Sequence, residues 1–311
     1  MKPMLLPLLL GFLMLSCTAD EVPRTFKSEH VIVVMIDGPR ISETWNEPGR
    51  PNIPRQDSLL SEGVLINNFR NDGPTWTISG HSAIVTGKYF EINNSGQELP
   101  PYPNIFQQYI KQTNASQDEV WVVASKGKVE VISNSSHPNW HNQYLPSTNC
   151  GINAGGPSSG YRDDSTTMTV LMDVLQQHHP KLLLLNFRQP DLSGHQMDSL
   201  GYINGIRSTD AYVAQIWDFI QNDPVYKNKT SLIVTNDHGR HLNGVSGGYH
   251  GHGDGCEGCR KISFLGLGPD FNENQTITNS YNQTDLSATI AEILGIQLPD
   301  CEGKVIEELF K

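Results

Sequence analysis

The sequence predicts an α/β fold: a three-layer α/β/α arrangement around a central, mostly parallel sheet. The first observation is a set of apolar runs, VIVVMI (31–36), LLLLNF (182–187) and SLIVT (231–235). Runs apolar on both faces suit strands covered on both sides, as in parallel sheets. The second is alternation, since segments with helical spacing and caps separate the strand-like runs throughout. The third is continuity. No internal repeat and no clean linker follow residue 30, so 31–311 reads as one domain of ordinary globular composition, 37% hydrophobic and 18% charged.

Taken in order, residues 20–30 read as a polar linker before the first strand. Residues 53–63 predict a helix stopped by Gly63, and 64–69 a short strand. The stretch 71–87, NDGPTWTISGHSAIVTG, crowds Thr77, Ser79, His81 and Ser82 in front of a helix expected near 79–86. A hydroxyl there lies where free N–H groups and the positive dipole end favour an anion. Residues 103–112 predict a helix and VWVVA (120–124) a strand. Residues 133–161, rich in Ser, Asn, Gly and Pro, predict a long functional loop. A helix over 163–179 ends at Pro180, RQPDLSGH leaves the 182–187 strand, and 208–221 has amphipathic spacing. After the 231–235 strand come a Gly-rich loop (244–258) with His250 and His252, a strand at 262–268, and a capped helix at 285–294 stopped by Gly295.

The charge narrows the function. With 33 acidic and 22 basic residues the formal net charge is −11, and no Lys/Arg stripe is available to neutralise nucleic-acid phosphates. An acidic protein that handles anions needs local positive charge, for which bound metal is an obvious source. No obligate protein partner is evident. Residues 1–19 read as an export signal, with a short positive start and an apolar run too short to span a bilayer. Ser16-Cys17 after that run resembles a lipobox, which would lipidate Cys17 and anchor the protein to a membrane; cleavage after Ala19 is the alternative. Either reading exports the chain, to the periplasm or the cell surface. Cys150, Cys256, Cys259 and Cys301 could then form two disulfides. Cys256-Glu-Gly-Cys259 also reads as half a zinc ribbon, but no second CxxC completes it, which favours a disulfide or free thiols.

Three strand-like runs end in residues that bind metals: Asp37, then Asp191 and His195, then Asp237 and His238. Ligands of open parallel sheets bind at the carboxyl ends of strands, so these groups are expected at one sheet edge. Singly, each has a plainer reading as a helix cap, a turn or a solvated histidine; three together point to a site.

The ordered series IDG (Asp37), PTWTISGHSAIVTGKY, PDLSGH (Asp191, His195), TNDHG (Asp237, His238) and a later His-Gly resembles the alkaline phosphatase superfamily. Within it, the series is most similar to the type I phosphodiesterase/nucleotide pyrophosphatase and sulfatase-like branch. The resemblance implies an alkaline phosphatase-like fold, two divalent metal ions (zinc by family habit) and a covalent phospho-enzyme. Asp37, Asp237 and His238 match the ligands of the metal that also holds the nucleophile. Asp191, His195 and a downstream His match those of the second; the distance to Gly268-Pro269 favours His252 over His250. Thr77, four residues before His81, matches the nucleophile and shared ligand, with Ser79 and Ser82 as fallbacks; Ile78-Ser79-Gly80 replaces the usual Phe-Pro-Asn. Asn93 or Asn94 would donate to a phosphoryl oxygen, though Asn-Asn-Ser-Gly is also strong turn chemistry. Arg40, Lys126, Lys128, Arg162 and Arg188 are candidates for a substrate phosphate, with Asn94, Arg40 and Lys128 foremost.

The implied function is hydrolysis of a small phosphorylated substrate, as a phosphodiesterase or phosphomonoesterase. A phosphotransferase or mutase, and a sulfatase-like hydrolase, are alternatives in the superfamily, although no Cys/Ser-x-Pro-x-Arg motif is present. From another class, a non-catalytic ligand-binding lipoprotein would lack ligands, and none is missing.

Overall fold

A computed structural model of the chain describes residues 24–311. The expected export signal 1–19, its Cys17 and the first residues of the 20–30 linker lie outside the described residues. Eight strands form one sheet: β1 (His30–Ile36), β2 (Gly63–Arg70), β3 (Val120–Ala124), β4 (Ser147–Cys150), β5 (Leu182–Phe187), β6 (Thr230–Asn236), β7 (Lys261–Leu267) and β8 (Gln275–Asn282). Their order is β4-β3-β5-β1-β6-β7-β2-β8, and only β7 runs antiparallel to its neighbours. The helices are α1 (Pro54–Leu59), α2 (Thr77–Thr86), α3 (Ile105–Thr113), α4 (Asp164–His178), α5 (Asp191–His195), α6 (Ser199–Asn222), α7 (Glu257–Arg260) and α8 (Gln283–Ile293).

The two-faced strand expected from VIVVMI is realised residue by residue. Val31, Val33 and Met35 face a core shared with Ile78 and Ile84 of α2, Phe106 of α3 and Ile290 of α8. Ile32, Val34 and Ile36 face the opposite core, with Leu171 of α4 and Ile206, Val213 and Ile216 of α6. Period-two side chains cannot leave either face wet, so helices cover both and the molecule has three layers.

Several segments differ from expectation. Gly63 follows the last helical turn (Leu60–Glu62) as expected, but with extended backbone, and it also begins β2, where a Cβ would lie 2.4 Å from Gly266 O of β7. The 133–161 loop contains the short edge strand β4, and polar QTITNSYN forms the opposite edge, β8. Helix α6 starts nine residues before 208, at an N-cap where the Asp198 side chain accepts from Gly201 N (2.8 Å). Linker residues 27 and 28 are tied down by backbone N–H bonds to the Asp270 carboxylate (2.8 and 2.9 Å). All four cysteines among the described residues are free thiols, so neither expected disulfide is formed.

Candidate active site

The strand order brings β3, β5, β1 and β6 side by side, and each releases a functional residue at its carboxyl end. Asp37 follows β1 and Asp237 follows β6 directly, while Asp191 opens α5 after β5. Backbone bonds lock these ends together: Asp191 N donates to Asp37 O, and Asp37 N to Phe187 O (both 3.2 Å). Gly38, at φ +63°, turns the chain sharply so that its N–H meets Asp237 Oδ1 at 3.2 Å. The Asn71 and Gln283 side-chain amides each donate to Asp237 O at 2.8 Å, fixing the β6 end from two sides.

Helix α2 enters from the same edge. Its ten residues are all buried, and Thr77 is the first of them. Close approach rests on Gly80, where a Cβ would lie only 2.3 Å from Asp237 O. The Thr77 hydroxyl accepts from Lys126 Nζ at 3.4 Å. Lys126 follows β3 and is itself buried, 2.7 Å from Asp37 Oδ2 and 2.6 Å from Asp191 Oδ2. His81 places Nδ1 2.8 Å from Thr77 O, one turn back in the helix.

The imidazoles share one habit. His238 Nδ1 lies 2.9 Å from Gly239 O and His252 Nδ1 2.8 Å from Thr75 O, so each ring nitrogen facing a carbonyl carries the proton. The Nε2 lone pairs then face inward. His238 Nε2 is 3.6 Å from Asp37 Oδ1 and 3.4 Å from Asp237 Oδ2; His252 Nε2 is 3.4 Å from Asp191 Oδ1. His195, half-exposed at the rim, has Nε2 3.3 Å from Asp191 Oδ1 and 3.1 Å from His252 Nε2. The His238 and His252 rings stack at 3.7 Å. His250 stays outside this cluster, offering only its backbone oxygen to Arg240 (2.9 Å).

Burial sets the protonation states. It pushes His252 and His81 down to about 3 and His238 well below the usual range, so all three rings are neutral. Burial raises Asp37 to about 6, against the pull of Lys126, and raises Asp237 with help from the Asp37 charge. Burial acts the same way on Asp191, but Lys126, the His195 hydrogen bond and Arg240 outweigh it and hold this carboxyl well below the usual range.

Asp37 Oδ1, Asp237 Oδ2 and His238 Nε2 are buried without a hydrogen bond, and Asp37 Oδ2 has only its ion pair with Lys126. Buried polar atoms are rarely left so. Orphaned carboxylate oxygens facing unprotonated imidazole nitrogens are a donor set that fits Zn²⁺ or a similar cation. Asp37, Asp237 and His238 form one such group and Asp191, His238 and His252 a contiguous second.

Of the expected substrate contacts, Asn94 and Lys128 lie beside α2. Asn94 Oδ1 accepts from Ile78 N (3.0 Å) and from Lys128 Nζ (3.1 Å), leaving its NH₂ unengaged by either. Arg40 is not brought to the cluster. Its guanidinium is held by Glu43, His241 O (3.0 Å) and Asn243 Oδ1 (2.9 Å). Arg162 and Arg188 are likewise engaged elsewhere, by Thr167 and Asn149 O and by Asp163. Arg240 was not foreseen. Fully buried, it pairs with Asp191 Oδ1 and holds the loop at Tyr249 O and His250 O. Its signal was a charged residue directly after the Asp-His-Gly turn.

This sheet order with carboxylates and imidazoles at its carboxyl edge has known counterparts. A solved structure of murine ectonucleotide pyrophosphatase/phosphodiesterase 5 matches with a TM-score of 0.65 at 16% identity, covering 91% of this chain and 100% of that one. A phosphonate monoester hydrolase from Silicibacter pomeroyi matches with a TM-score of 0.65 at 12% identity, covering 90% of this chain and 76% of that one. The fold is alkaline phosphatase-like.

Within that class the chain belongs to the type I phosphodiesterase/nucleotide pyrophosphatase family, whose model matches residues 31–242. Ectonucleotide pyrophosphatase/phosphodiesterase family member 7 of Rattus norvegicus is 23% identical over 238 residues, 72% of this chain and 53% of the relative. The chain therefore spans about half the length of that curated relative.

Proposed function

We propose that the protein is a hydrolase of phosphate esters, dependent on two divalent metal ions, zinc by donor type, with Thr77 as nucleophile. One observation carries this reading: a buried threonine hydroxyl at a helix N-terminus lies at a cluster of carboxylates and imidazoles in which Asp37, Asp237 and His238 hold inward atoms with no hydrogen bond. Family membership supports the substrate class. Asp37, Asp237 and His238 would hold one ion, with Thr77, and Asp191, His195 and His252 the other. Bound there, the pair would supply the Lewis acidity that lowers the threonine pKa and neutralises the phosphoryl oxygens.

The chain's own residues do the rest. Thr77 gives its proton to water and its Oγ forms a bond to phosphorus as the bond from phosphorus to the ester oxygen breaks; the departing alkoxide takes a proton from water and leaves as the alcohol. The product is phosphothreonine from a monoester or its alkyl ester from a diester, and attack of water on phosphorus breaks the bond to Oγ, returns the threonine hydroxyl and releases phosphate or a monoester. The Lys126 ammonium, 3.4 Å away, favours the charged oxygen. The positive dipole end of α2 favours the incoming anion, with the Ile78 N–H already given to Asn94 Oδ1 and the Gly80 N–H to Trp76 O. Asn94, oriented through Oδ1, turns its NH₂ to a non-bridging oxygen, and Lys128 adds charge behind it. His81 is neutral and engaged with Thr77 O, so it is a neighbour and not the base.

Turnover of bis-p-nitrophenyl and mono-p-nitrophenyl phosphate, with and without zinc, tests the reading. Metal-dependent release from either supports it, and their ratio separates diesterase from monoesterase. No metal-dependent turnover of either ester would contradict it, and phosphate delivered to an acceptor alcohol instead of water would indicate a transferase. Export with a lipid on Cys17 is part of the same proposal. Membrane fractionation of wild type and Cys17→Ser tests it; an unchanged distribution would rule the anchor out.

A further inference from the structure

A second cluster of metal-binding atoms lies outside the site described above. His241, Asp254, Cys256 and Cys259 each direct one ligand atom to a common point, all within 4.8 Å of one another. The separations are informative. Cys256 Sγ to Cys259 Sγ is 3.4 Å, His241 Nε2 to Asp254 Oδ1 is 3.2 Å, and Cys259 Sγ to Asp254 Oδ1 is 3.6 Å. Tetrahedral bonds of zinc would set the sulfur–sulfur, nitrogen–oxygen and sulfur–oxygen separations at roughly 3.8, 3.4 and 3.6 Å, so the four atoms lie within a few tenths of an ångström of that shell.

His241 supplies the independent observation. It is 6% exposed, and its Nε2 is buried with no hydrogen-bond partner. Its Nδ1 lies 3.0 Å from Ser246 O, so that nitrogen carries the proton and Nε2 is left with a lone pair. In the neutral ring a lone pair and a carboxylate oxygen then face one another at 3.2 Å. Two acceptors so placed repel unless a cation, a proton or a metal ion, lies between, and the two thiol sulfurs beside them make the metal ion the better fit. The same backbone-anchored ring habit occurs in His238 and His252 at the active site.

The backbone is built to bring these four together. Gly239 N donates to Cys259 O at 2.7 Å, seating the CxxC turn on the strand end that follows β6. A Cβ on Gly258 would lie 2.4 Å from Arg240 O, and one on Gly239 2.2 Å from Gly258 O, so both glycines permit the contact. What the fold brings to the CxxC pair is not a second CxxC but a histidine 15 residues upstream of Cys256 and an aspartate two residues before it.

We propose that His241, Asp254, Cys256 and Cys259 form a structural Zn²⁺ site, separate from the catalytic pair. Two thiolates, an imidazole and a carboxylate close a four-coordinate shell with no open position, as structural zinc sites require. On binding, each thiol releases its proton to solvent as its sulfur–metal bond forms. The ion would join both ends of the 241–259 loop, which carries His252 into the active site and is held midway by Arg240. Its role is to position that loop.

The test is cobalt substitution and metal analysis of the purified full chain. Wild type is expected to show a near-ultraviolet sulfur-to-cobalt charge-transfer band and one zinc equivalent beyond the catalytic complement. Cys256→Ser/Cys259→Ser should lose the band and that equivalent while keeping the others. Asp37→Asn should lose catalytic metal and keep the band, so failure of the proposed function and failure of this site are distinguishable. Wild type with no thiolate band would overturn the proposal without recourse to any variant. An intact mass lacking two hydrogens, with Cys256 and Cys259 joined as a disulfide, would overturn it equally.

Discussion

Lys126 Nζ and Thr77 Oγ1 lie 3.4 Å apart, and the same ammonium stands between the carboxylates of Asp37 and Asp191. Burial works against this charge. Asp191, Asp37 and Asp237 outweigh it and hold the ammonium above the ordinary lysine range. Lys126 is thus held as a cation beside the candidate nucleophile, and with Arg240 it compensates the buried negative cluster.

Replacing Lys126 separates these two roles. Removing one member of a buried ion pair typically costs about 3–5 kcal/mol. Lys126→Met should destabilise the metal-free protein by that order, and the metal-loaded protein by less, since bound cations neutralise the same carboxylates. Urea unfolding of both forms measures the difference. Equal losses in the two forms would mean that the carboxylates do not bind the metals.

Lys128 gives the pH dependence its sign. Burial and the neighbouring Lys126 charge lower it to about 8, from an ordinary 10.5. Between those values the native protein holds fewer protons than the unfolded chain, so this group's contribution to stability rises with pH there. Substrate binding runs the other way, because the neutral amine no longer attracts a phosphate. KM should rise above a pH of about 8 while kcat changes less, and Lys128→Met should flatten that limb. A KM that is level through this range would exclude Lys128 from substrate binding.

Gly80 tests the seating of α2. A Cβ there would meet Asp237 O at 2.3 Å, a backbone atom that cannot step aside. Gly80→Ala should cost about 1–3 kcal/mol, the usual range for overpacking. A shift of Thr77 by about 1 Å should lower kcat by roughly 10²-fold. Thermal melts and steady-state kinetics read both, and an undiminished kcat would show that the position of α2 is not critical.

The central strands and their terminal carboxylates were legible because a strand buried on both faces must be apolar throughout. That rule marks β1, β5 and β6 and hence Asp37, Asp191 and Asp237. Edge strands β4 (STNC) and β8 (QTITNSYN) obey no such rule, since one side of an edge is solvated and polar residues serve there. The start of α6 was hidden by Gly201 and Gly205, which break the helical pattern. Gly63 was legible as the end of the helical segment, whereas its close contact with β7 was not, because a glycine required by tertiary contact carries no local signal. Lys126 was one of five candidate cations in the sequence, and only the meeting of β3 with β5 and β1 distinguishes it. The partners of the CxxC pair were invisible for the same reason: His241 and Asp254 share no motif spacing with it.

The most direct measurement is acid quenching of the zinc-loaded enzyme during turnover of bis-p-nitrophenyl phosphate, followed by peptide mass mapping. A phosphoryl or nitrophenylphosphoryl group is expected on Thr77, absent in Thr77→Ala along with turnover. Turnover with no covalent adduct, or an adduct on Ser79 or Ser82 instead, would contradict it.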